Sequence, residues 1–251
     1  MPRQKSPVRS EWLDPEVCSL NYRLRIIGRP PFFKHLPADA IEWINRLFQD
    51  RDYAAGQNIY FEADEAESLY LVAMGKVKLV RNTETGREVL LDILRGGEYF
   101  GNLPVLGRRT YTETSIAQTD GCILQISSGD FETILSRYPD VTRKVLEAVS
   151  RRLEQSQDLI KQLSTYTVEQ RVASVLLRLG GKLGEKRGQD LLIQLPLSRQ
   201  DLAAMTGSTT ETVSRVMSRF SEDGLVKSGR KWVTLTDTVR LEDLIKKGAG
   251  N

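Results

Sequence analysis

The chain has 251 residues, 40% hydrophobic and 27% charged, enough for two modest cores, and its apolar runs are too short for a transmembrane helix. The opening Met-Pro-Arg-Gln-Lys-Ser-Pro lacks the apolar stretch of a signal peptide, and two cysteines (Cys18 and Cys122) are too few for a disulfide framework, so a reducing, cytoplasmic location is expected. The net charge of +3 is uneven: residues 167–251 hold 14 Lys/Arg against 10 Asp/Glu and residues 1–166 hold 22 against 23, so the basic excess lies in the C-terminal third.

Residues 1–30 contain Pro and Arg with weak patterning and read as a mobile N-terminal arm, with one short helix around Pro15 to Leu24. Pro37-Ala-Asp-Ala-Ile41 opens an amphipathic helix with Ile41, Ile44, Leu47 and Phe48 at helical spacing. From Arg51 to about Ser128 short β-rich runs (58–61, 68–72, 76–80, 88–94, 115–117 and 122–126) alternate with glycine turn signals at 56, 75, 86, 97 and 121. Many short strands at regular spacing predict a β jelly-roll barrel within residues 31–139, and without crossover helices a parallel α/β sheet is excluded. Gly129 to Leu135 is a short helix ending before Pro139, and a helix without interior Gly or Pro follows from Asp140 to about Thr165.

On that helix Leu146, Val149, Leu153, Ser156, Ile160 and Leu163 recur at alternating steps of three and four, the seam of a two-stranded coiled coil. The alternative is a helix packed on its own domain. Residues 140–166 are therefore expected to form a dimerisation helix and hinge, with the flexing point near Thr165–Glu169. Residues 167–251 continue with a helix from Glu169 to Leu183, its buried face at Val172, Val175, Leu176 and Leu179, and a strand over Leu191–Leu195. Two short amphipathic helices then meet at Gly207, and residues 225–235 form a hairpin around Ser228-Gly229-Arg230. Three helices and a hairpin make a winged helix-turn-helix, so the fold class is α+β: barrel, long helix, winged helix-turn-helix.

From about Pro31 to Leu241 the chain resembles the Crp/Fnr superfamily, dimeric bacterial regulators related to the cyclic-AMP receptor protein. Tyr53-Ala-Ala-Gly-Gln-Asn-Ile-Tyr-Phe61 and Leu69-Tyr-Leu-Val-Ala-Met-Gly-Lys-Val-Lys-Leu79 are similar to the opening strands of its cyclic-nucleotide-binding-like barrel. Gly96-Gly-Glu-Tyr-Phe-Gly101 is similar to the run into its ligand pocket, and Tyr138-Pro-Asp140 and Ser150-Arg-Arg-Leu153 to its dimer helix. Leu197-Ser-Arg-Gln-Asp-Leu-Ala203 and Glu211-Thr-Val-Ser-Arg215 match its DNA-reading motif.

The resemblance implies a sequence-specific transcription regulator, effector-gated or constitutive, acting as a homodimer on a palindromic site with TGA-type half-sites about one helical turn (~34 Å) apart. Its implied partners are double-stranded DNA, a second copy of the chain and RNA polymerase, with no membrane. Expected base contacts are Thr210, Glu211, Ser214 and Arg215: Glu211 accepts from cytosine N4, and Arg215, one turn on, gives a bidentate contact to guanine. Thr210 stands where nucleotide-responsive members have an arginine. The bland alternatives are a capping box between Ser208 and Glu211 and a phosphate clamp at Arg215. Arg199, Ser208, Thr209, Arg219, Arg230 and Lys231 are expected at the DNA backbone, with Ser208 or Thr209 capping the recognition helix.

The implied effector pocket comprises Gly101, Asn102, Leu103, Tyr111 and Thr112, with Ser156 and Gln157 from the seam helix. Cyclic-AMP-binding members carry a glutamate where Asn102 stands and an Arg-Ser pair in the stretch that here reads Thr110-Tyr-Thr-Glu113. Glu113 repels a cyclic phosphate, so cyclic AMP is not the expected ligand. The barrel is then a scaffold without a ligand or the holder of another small molecule. Cys18 alone in the arm and His35 as the only histidine speak against iron–sulfur and haem sensing, and no metal is expected. With no Ser/Cys–His pairing, metal-ligand spacing or phosphate loop, the chain does not read as an enzyme. The rival reading is a ligand-binding regulatory module whose C-terminal helices bind protein rather than DNA.

Overall fold

The computed structural model describes residues 19–102, 107 and 109–247; Cys18, Leu103 and the basic cluster Arg3, Lys5 and Arg9 fall outside them. Two compact units divide the chain, one over residues 12–155 and one holding residues 156–251.

In the first unit, alternation along the strands sets the architecture. Two antiparallel four-stranded sheets form, in the orders β1-β8-β3-β6 and β2-β7-β4-β5. Their strands are β1 (Gln49–Tyr53), β2 (Asn58–Tyr60), β3 (Ser68–Val72), β4 (Lys76–Asn82), β5 (Glu88–Arg95), β6 (Tyr99–Gly101), β7 (Thr114–Ala117) and β8 (Gly121–Ser127). Successive side chains point to opposite faces, so β3 serves two cores at once. Tyr70 and Val72 pack with Tyr53, Tyr60, Val77, Leu79, Leu94, Phe100, Tyr111 and Ile123, drawn from both sheets. Leu69 and Leu71 instead join Leu124 and Ile126 against the helices α1 (Leu20–Ile27), α2 (Ala38–Asn45), α3 (Ser128–Arg137) and the start of α4 (Pro139–Thr165).

Two expectations change here. The short helix expected around Pro15 to Leu24 is α1, running over Leu20–Ile27 behind a Ser19 cap, but it is no loose arm, since Ile26 and Ile27 are fully buried. An eight-residue helix is marginal alone, and tertiary contacts hold it: the Tyr22 hydroxyl donates to the Ala73 carbonyl at 2.9 Å, and Arg23 donates to the Phe48 carbonyl at 2.7 Å and pairs with Asp50. The barrel also gains β1, read over as polar because Gln-Asp-Arg-Asp is exposed along the sheet edge beside β8 and only Tyr53 turns inward.

Pro139 opens α4, where its missing N–H costs no hydrogen bond. Val141, Val145 and Ala148 face the core of the first unit. Leu146, Val149, Leu153, Ile160 and Leu163 stand exposed, between 43% and 69%.

In the second unit, Thr167 and Gln170 close a capping box at the start of α5 (Val168–Leu183). Then come β9 (Gly184–Arg187), β10 (Asp190–Gln194), α6 (Arg199–Thr206), α7 (Thr210–Glu222), β11 (Val226–Gly229), β12 (Trp232–Leu235) and α8 (Thr238–Lys247). The strands form one antiparallel sheet in the order β11-β12-β10-β9. Val172, Val175, Leu176 and Leu179 of α5 are buried with Val213, Met217 and Phe220 of α7 and Leu241 of α8. Both β9 and α8 lack clear apolar periodicity. α8 is anchored by Leu241 and by Gln170, whose side-chain amide donates to the Leu244 and Ile245 carbonyls at 3.2 Å each.

Candidate nucleic-acid interface

Local rules build the two-helix motif. Ser198 caps α6 in a box with Asp201, the Asp201 N–H donating to Ser198 Oγ at 3.0 Å and the Ser198 N–H to Asp201 Oδ2 at 2.8 Å. Gly207 ends α6 in the left-handed region (φ +60°), where an L side chain is strained, and the chain turns there. Thr209 is the cap of α7, its Oγ1 accepting from the Thr212 N–H at 3.2 Å. The other candidate cap, Ser208, sits just outside the helix and is half-buried.

That cap puts Thr212, not Glu211, in the third helical position, so no capping box ties Glu211 back to Ser208. Glu211 instead faces Arg215 across one turn at 3.8 Å, with both side chains largely exposed. Val213, Val216, Met217 and Phe220 turn inward, which brings Thr210, Glu211, Ser214 and Arg215 together on the opposite side. The Ser214 hydroxyl donates to the Thr210 carbonyl at 2.7 Å, so its oxygen offers only lone pairs outward. A helix N-terminus whose remaining N–H groups face outward, with the Arg215 cation one turn on, is suited to a polyanion.

The six residues expected at a phosphate backbone divide. Thr209, Arg230 and Lys231 are exposed, the last two in the turn between β11 and β12. Arg199 is half-buried and donates to Ser228 Oγ on β11 at 3.0 Å, and burial holds its guanidinium below the usual pKa. Arg219 is exposed but held by Glu169 of α5 at 3.3 Å. Neither Ser228 nor Glu169 carries a sequence signal for these pairings, since each partner is remote in the chain.

Between the sheets of the barrel, Gly101 adopts φ +90°, and a Cβ there would come within 3.0 Å of the Ser68 carbonyl oxygen and 3.1 Å of the Tyr70 ring. Asn102 donates to Thr112 Oγ1 at 3.4 Å, Thr112 donates to the Glu113 carboxylate, and the Tyr60 hydroxyl donates to Glu113 Oε1 at 2.8 Å. The Tyr111 ring stacks on Tyr60 with centroids 3.8 Å apart. Its hydroxyl donates to the Ser68 carbonyl at 3.1 Å and accepts from the Ser68 N–H at 3.2 Å. Burial pushes the hydroxyl pKa values of Tyr60, Tyr70 and Tyr111 up, and the Glu113 charge adds to the effect on Tyr60. The two other expected pocket residues, Ser156 and Gln157, are exposed on α4 and belong to the second unit.

Comparisons with known proteins divide the chain as the structure does. Residues 50–138 match the cyclic nucleotide-binding domain family, and residues 170–244 match the Crp-like helix-turn-helix domain family. The cyclic AMP receptor protein of Thermus thermophilus is 31% identical over 85% of this chain and 96% of its own length. The CRP-like cAMP-activated global transcriptional regulator of Mycobacterium tuberculosis is 27% identical over 86% of this chain and 96% of its own. Among solved structures, FixK2 from Bradyrhizobium japonicum superposes with a TM-score of 0.71 at 26% identity, covering 78% of this chain and 96% of that one.

Proposed function

The chain belongs to the Crp/Fnr superfamily of DNA-binding transcription regulators, and on that premise we propose that it works as a homodimer on a two-fold symmetric DNA site with TGA-type half-sites. The observation that carries the reading is the outward-facing quartet on the first turns of α7, with Thr210, Glu211 and Arg215 exposed and Ser214 half-buried among them, beyond a glycine-turned helix. Arg215 donates two N–H groups from one guanidinium edge to guanine O6 and N7, and Glu211 accepts from a cytosine amino group. Ser214 contributes as an acceptor, since its hydrogen is committed to Thr210. Thr210 is too short for a bidentate contact, so the first half-site position is read loosely.

Thr209, Arg230 and Lys231 hold phosphates. Arg219 reaches a phosphate only by leaving Glu169. Arg199 sets the wing hairpin through Ser228 as well as lying near the backbone.

Dimerisation rests on the seam. Of eight large hydrophobics exposed among the described residues, five (Leu146, Val149, Leu153, Ile160 and Leu163) lie on α4 in one heptad series. Such a stripe is costly in water and is covered most simply by its own copy, which also supplies the second half-site reader. A change of orientation about Thr165–Glu169 sets the separation of the two recognition helices, and the bound dimer recruits RNA polymerase.

The test is selection from a randomised duplex pool by the wild type and by Arg215→Ala. Arg215→Ala is expected to lose guanine preference at one position of each half-site, with about 1–3 kcal/mol of discrimination gone. Retained preference refutes the assignment. Wild-type affinity that ignores salt instead favours the rival, a module whose C-terminal helices bind protein.

A further inference from the structure

A match to cyclic nucleotide-binding barrels implies a ligand made of a base, a ribose and a singly charged cyclic phosphodiester. The residues between these two sheets do not fit that group. Tyr60, Tyr70, Phe100 and Tyr111 fill the space themselves: Tyr60 stacks on Tyr111 at 3.8 Å and on Phe100 at 6.0 Å, and Tyr70 packs against Phe100 at 5.2 Å. All four are less than 9% exposed. Interiors packed in this way accept no further ring without expelling one.

Tyr111 cannot swing out cheaply. Its hydroxyl bonds both backbone groups of Ser68 and lies 3.4 Å from the Tyr70 hydroxyl, so leaving takes a partner from two backbone groups in a buried site. Gly101 is part of the same fit: a Cβ there would approach the Ser68 carbonyl, Tyr70 and, at 3.5 Å, the Tyr111 ring. The charge is wrong as well. Glu113 is a buried carboxylate whose partners are two hydroxyls, Tyr60 and Thr112, and a phosphodiester beside it meets like charge in a medium that screens poorly.

We infer that the barrel is closed around its own side chains, with Tyr111 as a built-in occupant and Glu113 as a barrier to anions. DNA binding by this chain is therefore independent of cyclic nucleotides. The second statement rests on the DNA-binding reading above; the first does not.

The experiment uses the full chain and two readouts, thermal midpoint and affinity for a duplex selected from the pool. Cyclic AMP or cyclic GMP at about 1 mM is expected to leave the wild-type midpoint in place and to change DNA affinity by less than about twofold. A clear rise in midpoint, or affinity tightened by about tenfold, overturns the inference. Tyr111→Ala opens a phenol-sized space, and p-cresol, the excised side chain, is expected to raise the midpoint of that variant by about 4 °C while leaving the wild type unmoved. A variant that ignores p-cresol, or a wild type that responds equally, shows that the ring is not the occupant. Tyr111→Phe keeps the ring and guards against failure of the alanine variant to fold: it is expected to bind neither p-cresol nor cyclic AMP, and binding of either counts against the inference. If the wild type binds no DNA under any condition, the DNA-binding reading fails, while the midpoints still judge the barrel.

Discussion

Replacing Leu153 with lysine separates a helix that covers itself from one that needs a second copy. Leu153 is 59% exposed in the single chain and has Val149 and Ile160 on the same stripe, at 50% and 64%. Fully burying a leucine is worth about 1.5–3 kcal/mol, so covering the exposed part of Leu153 is worth about 1–2 kcal/mol per chain and about 2–4 kcal/mol per dimer. Lysine forfeits that amount and brings two ammonium groups face to face across the seam. Leu153→Lys is therefore expected to raise the dimer dissociation constant by at least about two orders of magnitude. Sedimentation over a concentration series reads this directly. Far-ultraviolet circular dichroism should be unchanged, because the side chain already faces water in one protomer. A Leu153→Lys protein that sediments with the wild type at every concentration, or that loses its helix content as a monomer, refutes the seam and favours a stripe packed within its own chain.

Two further perturbations act on the second unit. Glu169→Gln releases Arg219 from an exposed ion pair worth at most about 1 kcal/mol; non-specific DNA affinity should rise by up to about fivefold and the salt slope should steepen by about one phosphate, and an unchanged slope excludes Arg219 from the interface. Gln170→Ala removes a 94%-buried amide that accepts from the Thr167 N–H at 2.9 Å and donates to two carbonyls at the end of α8. A loss of about 2–3 kcal/mol in urea unfolding is expected, with faster hydrogen exchange at Thr167 and in α8. A loss below about 0.5 kcal/mol means that the three bonds do not couple α8 to the start of α5.

Much of the scaffold was legible because it depends on local rules. Period-two alternation located most strands, the three-and-four spacing located the exposed stripe of α4, and Gly207 with a threonine at 209 marked the turn and cap of the reading motif. The cap itself was one of two equal options in the sequence. Only the helix start at Thr210 chose Thr209, and that choice removed the capping role for Glu211. β1 was missed and α1, expected around Pro15 to Leu24, was placed a few residues early for a common reason: short or polar segments have no strong pattern of their own and are held by neighbours that arrive from elsewhere in the chain.

The residue types that would read DNA, the apolar seam, and the absence of the Arg-Ser pair from the barrel stretch were all set by the sequence alone, because each is a matter of identity and spacing along one element. Tertiary structure decided what those residues touch. Tyr60 and Tyr111 are 51 positions apart, and only the pairing of β2 with β7 brings the rings to 3.8 Å. Arg219 meets Glu169 across 50 positions and Arg199 meets Ser228 across 29. Partnership at such separations is fixed by sheet register and helix packing, which no local pattern encodes; there the barrel acquired its own occupant, and two of the expected phosphate contacts acquired internal partners.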